Sequence, residues 1–389
     1  MRPAREFDII VYGASGFTGR LVAEYLAARY AGKVKWAMAG RDPAKLAAVR
    51  DEIGAPKDVP LVSADASAPG SLDAMAQRTR VVITTVGPYQ LYGSDLVAAC
   101  ARAGTDYVDL CGEPAWMRAM IDAHDAQAKA SGARIVFSCG FDSIPFDLGV
   151  LFLQDEAKKR FGKPFARVKG RVRKMRGTFS GGTAASLKAT LAAAARDPNV
   201  LGLLKDPFAL TPGFAGPKQP SGMKPEYDED FGVWMAPFVM AAINTRNVLR
   251  SNVLLGCPWG EDFVYDEMVM TGPGEKGEQI ARGMAAAGSG MDGKDAPKPG
   301  EGPGREEREN GFYDVVFLGV APDGRKMLAS VKGDRDPGYG STSKMISESA
   351  LALIDNSTTA GGVWTPGAAL GQALVDRLQA NAGLTFAIE

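Results

Sequence analysis

The sequence predicts an α/β protein: a doubly wound parallel sheet over residues 1–150, joined to a second, α+β domain that contains antiparallel sheet. Three observations predict it. Strand-like and helix-like runs alternate through the first 150 residues, which means parallel βαβ units. A glycine-spaced turn separates the first strand from the first helix. Beyond residue 150 the alternation stops, and two strand-like runs flank Ala-Pro-Asp-Gly, a turn that closes an antiparallel hairpin.

The elements follow in order. Phe7–Tyr12 (FDIIVY) is a β-rich run, and Phe17–Tyr30 places Leu21, Val22, Tyr25 and Leu26 at helical spacing. A second strand is expected at Val34–Ala39. A helix over Pro43–Ile53 is opened by Asp42 as cap and by Pro43 in its first turn. Strands are expected at Val59–Ser63, Val81–Val86, Tyr107–Leu110 and Arg134–Ser138, with helices at Ser71–Arg78, Ser94–Ala103 and Pro114–Ala130. Near-continuous apolar runs such as VVITTV suit a sheet covered on both faces. Pro145–Phe161 reads as a connecting helix and Ala166–Met175 as an alternating strand; Phe312–Val320 and Lys326–Lys332 form the hairpin. Within the second domain (151–340), residues 271–310 are so rich in Gly and Pro that a mobile loop or insertion is expected. Two closing helices, Ser341–Ile354 and Pro366–Gln379, complete a last segment (341–389) that packs back on the core.

Composition narrows the function. The 389 residues carry 45 basic and 45 acidic side chains, which argues against a strongly basic nucleic-acid binder. The four cysteines form no CxxC pair and there is one histidine, so no metal site is expected. Met1–Glu6 has two arginines and no apolar run, no stretch is long enough to span a bilayer, and a reducing cytoplasm is the expected location. Phe231–Ile243 reads as buried core or as the wall of an apolar groove.

The strongest chemical signal is Gly13-Ala14-Ser15-Gly16-Phe17-Thr18-Gly19. Following a strand and opening a helix, it provides a tight turn, a backbone that can approach a pyrophosphate, and a helix N-terminus with free N–H groups. This is a Rossmann-type dinucleotide site. The second strand then runs into Gly40-Arg41, where an NAD site would place an acid. A guanidinium there binds a 2′-phosphate through forked, charge-assisted bonds, so NADP(H) is the expected cofactor. Asp65, after the third strand, is a candidate for the adenine side; Gly87 and Pro88, after the fourth, for the nicotinamide ribose.

Hydride transfer also needs a proton donor. No tyrosine is followed by lysine four residues later, so the Tyr-x-x-x-Lys pair is absent. The candidates are Tyr89, Tyr92 and Asp142, all at strand ends on one sheet edge. For each the alternative is structural: packing for the tyrosines, a helix cap for Asp142. Residues 158–176 are basic with no acid, and Arg167, Lys169, Arg171 and Arg173 share one strand face. That face is either solvated or a docking surface for an acyl carrier protein, coenzyme A phosphate or anionic membrane.

Several segments together resemble the saccharopine dehydrogenase-like oxidoreductases, in the branch of trans-acting enoyl reductases. They are Val11–Gly19, Ala39–Arg41, Thr85–Tyr89, Tyr107–Glu113, Cys139–Pro145, Gly181–Thr183, Arg250–Asn252, Pro299–Pro303 and Gly361–Pro366. The resemblance implies a Rossmann domain carrying an α+β domain, NADP(H) as cofactor and, in some members, reduction of a carbon–carbon double bond on a polyketide-type acyl chain. An NADPH-dependent reductase of a lipid or acyl substrate, acting as a homodimer, is the reading taken. A saccharopine-type amino-acid dehydrogenase or imine reductase, and a non-catalytic NADP-binding, lipid-associated module, stay open beside it.

Overall fold

The computed structural model describes residues 4–178, 180–288, 298, 300–356 and 358–389. Its first half is a βα ladder: β1 (Phe7–Tyr12), α1 (Phe17–Tyr30), β2 (Trp36–Gly40), α2 (Pro43–Glu52), β3 (Leu61–Ser63), α3 (Pro69–Ala76) and β4 (Thr79–Thr84). It continues through the short α4 (Tyr89–Tyr92), α5 (Ser94–Ala103), β5 (Asp106–Val108), α6 (Pro114–Ser131), β6 (Arg134–Val136) and α7 (Ile144–Phe161). These strands lie parallel in the order β6-β5-β4-β1-β2-β3, so the chain crosses over between β3 and β4. Helix α2 starts as its sequence requires: the Asp42 carboxylate accepts from the Ala44 and Lys45 N–H groups, with Pro43 following. Strand β4 stops at Thr84, short of the apolar run, because Thr85 and Val86 turn away to pack on the loop after β1.

The second half begins with β7 (Arg167–Arg176), α8 (Gly181–Arg196), α9 (Pro198–Lys205), β8 (Glu226–Asp228), β9 (Val233–Pro237), α10 (Ala241–Leu254) and β10 (Val264–Gly272). Then come α11 (Gly274–Ala287), α12 (Arg305–Glu309), the hairpin β11 (Phe312–Val320) and β12 (Lys326–Gly333), and α13 (Thr342–Asp355). The chain closes with β13 (Gly362–Trp364), α14 (Pro366–Arg377) and β14 (Leu384–Ile388). The second sheet has the order β14-β12-β11-β7-β10-β9-β8, antiparallel except for the parallel pair β7–β10. The closing segment therefore contains strands as well as the two helices. Strand β13 extends the first sheet beyond β6, and β14 edges the second.

Helix α7 joins the two sheets. Its Phe146 ring meets Phe141, Phe238 and Phe317, and Gly149 leaves room for Phe317, since a Cβ there would stand 2.3 Å from that ring. One apolar core thus runs from Ile9 and Val11 to Phe317 and Tyr265. Phe231–Ile243 is largely core, with Met235, Ala236, Phe238 and Ile243 buried, while Val239 stays 38% exposed. The Gly/Pro-rich stretch departs from a plain loop. Its N-terminal part forms α11, seated on β9 and β10 with Ala281 buried, and its C-terminal part forms α12; residues 289–297 and 299 lie outside the described residues.

The basic strand also departs from expectation. Arg171 is buried, with Nη2 3.1 Å from an Asp228 oxygen and Nη1 2.8 Å from an Asp266 oxygen. Lys169 Nζ lies 2.9 Å from Asp228 and 2.6 Å from Asp230, Arg167 pairs with Asp266, and Arg173 reaches Glu389 at 2.9 Å. The ladder is neutralised within the chain and does not present a free cationic docking face. Exposed cations remain at its two ends, at Lys158 and Arg160 before it and at Lys174 and Arg176 where β7 finishes.

Candidate functional site

The C-terminal edge of the parallel sheet collects the chemistry. Gly13 leaves β1 with φ +85°, a conformation that favours glycine. Gly19, one turn into α1, lies against it: a Cβ on Gly19 would stand 2.1 Å from the Gly13 carbonyl oxygen and 2.8 Å from Thr85 Oγ1. Helix α1 begins at Gly16 with no side-chain cap and no acid in its first turn. An uncapped helix start approached by bare backbone is what a diphosphate requires, so the loop fits a dinucleotide. Ala14 is buried beneath the turn, Ser15 is exposed and Thr18 is partly exposed.

Arg41 is exposed just beyond β2, within electrostatic reach of the Asp65 carboxylate and the Tyr12 phenol. Asp65 accepts hydrogen bonds from both the N–H and the hydroxyl of Ser67, at 2.9 Å each, and these hold its carboxyl below the usual range. It caps its own turn, and the Arg41 charge nearby adds slightly to that lowering.

After β4 the chain runs through Gly87 and Pro88 into α4, and the structure divides the two tyrosines there. Tyr89 is buried against Trp116, its hydroxyl donating to the Thr84 carbonyl (3.3 Å) and accepting from the Leu110 N–H (3.0 Å). Burial, with Asp109 nearby, pushes this phenol far above its ordinary range. Tyr89 therefore ties the β4 and β5 loops together, a correction to its expected role as proton donor. Tyr92 is 48% exposed. The turn itself is held by Glu113, whose two carboxylate oxygens accept from the Tyr89 and Gln90 N–H groups at 2.9 Å. Cys111 and Cys139 are buried thiols raised by burial; Cys111 Sγ accepts from the Glu113 N–H at 3.4 Å, and His124 sits half-buried on α6.

Asp142 follows β6, half-buried, with Oδ1 shielded from solvent and given no hydrogen-bond donor among the described residues. Burial lifts its carboxyl to about 7. Its neighbour Ser143 accepts from Asn247 Nδ2 at 2.9 Å, which ties the β6 loop to α10. A carboxyl raised toward neutrality at the C-terminal edge of the parallel sheet is of the kind suited to acid–base work.

Sequence reasoning missed the clamp over the glycine loop. The Phe17 ring does not face a ligand crevice; it packs edge-on to Tyr339 (5.1 Å), lies under the Arg308 guanidinium (5.7 Å) and leaves no room for a Cβ at Gly302. The Tyr339 hydroxyl in turn receives the Ser180 N–H and bonds Thr183 Oγ1, setting the start of α8. Helix α8 then lies over the β4 loop, where Gln90 Nε2 donates to Thr190 Oγ1 at 3.3 Å. Only the glycine-rich Gly181-Gly-Thr and Gly-Glu-Gly-Pro303 segments hinted at this contact.

Comparison with known proteins bears on the same residues. A family model for the NADP-binding domain of saccharopine dehydrogenase matches residues 9–136. Over 404 residues the chain is 42% identical to a Mycobacterium tuberculosis protein whose name is that of a trans-acting enoyl reductase, covering 97% of this chain and 96% of that one. A trans-acting enoyl reductase of Mycobacterium ulcerans is 40% identical over 402 residues, covering 96% of each. The yeast (Saccharomyces cerevisiae) saccharopine dehydrogenase (L-Glu forming) shares the fold, with TM-score 0.57 at 14% identity over 98% of this chain and 100% of that one.

Proposed function

The chain belongs to the trans-acting enoyl reductase family of saccharopine dehydrogenase-like oxidoreductases, and from that membership we propose that it reduces the carbon–carbon double bond of an enoyl chain. It is an NADP-dependent oxidoreductase. The single observation that carries the enoyl reading is identity of about two residues in five along almost the whole length of such relatives.

In this reading the backbone of Gly13, Ala14, Ser15, Gly16, Phe17, Thr18 and Gly19 holds the diphosphate, and Arg41 grips the ribose phosphate. Gly87 and Pro88 run beneath the nicotinamide ribose. NADPH, when bound, supplies the hydride. Asp142 donates the proton, and Tyr92 lines the mouth with Leu91, which is 61% exposed. Leu191 of α8, 50% exposed, is one residue from the Gln90–Thr190 contact and offers the same mouth an apolar wall for an acyl chain. Lys174 and Arg176, exposed where β7 leads toward α8, suit an acidic carrier that delivers the chain. Among the described residues no helix is long and apolar enough to cross a membrane.

The test is NADPH consumption with a 2-enoyl thioester beside an imine of the saccharopine type. Turnover of the imine alone would favour an amino-acid dehydrogenase; cofactor binding without turnover of either would favour a non-catalytic module. Arg41→Ala is expected to raise the NADPH Kd about ten- to a hundredfold, the loss of roughly 1.5–3 kcal/mol for a charged hydrogen bond, and to leave NADH binding unchanged. Titration calorimetry with both nucleotides checks this. Tyr92→Phe is expected to raise KM while holding kcat within about threefold, as loss of a wall contact should. A drop in kcat of a hundredfold would move the donor role to Tyr92.

A further inference from the structure

Helix α8 rests on the cofactor loops through polar groups. Of its 16 residues only Gly181 is buried, and in α9, which follows it, none is. Thr183, Ser186 and Thr190 lie on one face of α8. Thr183 Oγ1 bonds the Tyr339 hydroxyl at 3.1 Å, Thr190 Oγ1 accepts from Gln90 Nε2 at 3.3 Å, and Ser186 Oγ stands 3.7 Å from where a Cβ on Gly87 would be. The seat is therefore made of hydroxyls. Such bonds contribute little each, and a helix with so little buried apolar surface opens at low cost.

The two helices are tied at both ends. Beyond α9, Arg246 Nη2 donates to the Leu204 carbonyl at 2.6 Å, Arg118 Nη1 to the Ala209 carbonyl at 2.9 Å, and Arg250 to the Leu210 carbonyl. Before α8, the Tyr339 hydroxyl accepts the Ser180 N–H, and the Gly181 N–H reaches the Glu301 carbonyl at 3.3 Å. Tyr339 is 4% exposed and its ring meets that of Phe17, the first residue of α1, at 5.1 Å. One side chain thus joins the glycine turn to the start of α8. The link also carries charge. Arg308 lies 5.7 Å and Arg20 5.9 Å from the Phe17 ring, beside a helix start with no acid in its first turn. Arg20 pairs with Glu52, whereas Arg308 feels Asp336 and Glu24 at longer range and forms no ion pair among the described residues. The Arg308 carbonyl accepts from the Asp336 N–H at 3.0 Å, and the Asp336 carboxylate accepts from the Tyr339 N–H at 2.9 Å. An anion on the glycine turn attracts Arg308, and with it draws Asp336 and Tyr339 toward Phe17.

We propose that Tyr339 is a positioning residue that pins α8 as a movable roof over the nicotinamide half of the site, and that filling the glycine turn with NADP(H) tightens the pin. With the turn empty, α8 is held by its hydroxyl bonds and its two tethers. With the turn filled, Phe17, Tyr339 and Ser180 are fixed in succession, and the roof settles on Gly87 and Gln90. The closed roof keeps the exposed Leu191 at the mouth and shields the reacting end of the cofactor from water. The effect on an enoyl substrate rests on the reductase reading above; the pin itself does not.

The test is hydrogen–deuterium exchange on the full chain, without and with NADPH, in wild type and in Tyr339→Phe. The variant keeps a ring against Phe17 and loses both the acceptor for Ser180 and the partner of Thr183. In wild type, NADPH is expected to slow exchange at residues 13–19 and, by about fivefold, at residues 184–196. In Tyr339→Phe the slowing at 13–19 should persist and that at 184–196 should vanish. Unchanged exchange at 184–196 in wild type, or equal slowing there in the variant, would overturn the proposal, as would a failure of NADPH to protect 13–19. If Tyr339→Phe does not fold, Thr183→Val removes one of the two bonds and should weaken the slowing at 184–196; full slowing would count against the pin. Because coupling is reciprocal, Tyr339→Phe should weaken NADPH binding by no more than about fivefold. With a 2-enoyl thioester it should raise KM about tenfold and hold kcat within about threefold; an unchanged KM would remove the roof from substrate binding. If wild type does not turn over the thioester while exchange at 184–196 still follows NADPH and Tyr339, the reductase reading fails and the pin stands.

Discussion

Replacing Gly19 with alanine is expected to abolish NADP(H) binding. The new Cβ would fall 2.1 Å from the Gly13 carbonyl oxygen, 2.7 Å from its carbon and 2.8 Å from Thr85 Oγ1. The first two are backbone of the turn and cannot rotate away. Relief requires α1 to move off β1 and β4, which opens the ring of N–H groups that a diphosphate needs. A loss of at least about a hundredfold in affinity, roughly 3 kcal/mol, is the expected scale. Titration calorimetry measures it, with Gly70→Ala as control, since nothing lies within 4 Å of a Cβ there. Wild-type affinity in Gly19→Ala would remove the phosphate from this loop.

Arg171→Leu is expected to cost about 3–5 kcal/mol of folding stability, the usual penalty for stranding buried partner charges. The residue is 1% exposed and holds Asp228 and Asp266, which are equally hidden. Arg173→Ala, a third exposed at its side chain, should cost no more than about 1 kcal/mol although it lies on the same strand face. Denaturant unfolding of the two variants separates the cases. Equal, small losses would return the strand to the role of a solvated or docking face.

These two variants also mark how far the chain could be read in advance. Gly19 was legible because its requirement is local: strand, turn and helix follow one another within thirteen residues, Phe7 to Gly19, and the spacing carries the geometry. The parallel ladder was legible for the same reason, as was the β11–β12 hairpin, whose Pro-Asp-Gly turn sits between its own strands. Arg171 was not. Its partners Asp228 and Asp266 lie 57 and 95 residues away in the chain, and only the pairing of β7 with β10, and of β10 with the β9–β8 edge, brings them across. Read alone, the run from 158 to 176 is a block of unmatched cations.

The candidate site divides along the same line. The glycine turn, Arg41 and the strand-end positions of Gly87, Tyr92 and Asp142 follow from local pattern plus the rule that ligands sit at the carboxyl ends of parallel strands. Tyr89 shows where that rule stops. It occupies the expected place, yet the Leu110 N–H and the Thr84 carbonyl take up its hydroxyl, and nothing in the residues around it announces either bond.

Local order along the chain was thus enough to specify the parallel sheet, the phosphate turn and the choice of NADP(H), because each depends on residues within one βα unit. The burial of Arg171 was decided by the pairing of strands within the second sheet, the occupation of the Tyr89 hydroxyl by the packing of the β4 and β5 loops, and the Phe17–Tyr339 clamp by the second half of the chain folding back on the glycine turn. These partners come from separate elements, and the charge state of a buried group depends on which of them the fold delivers.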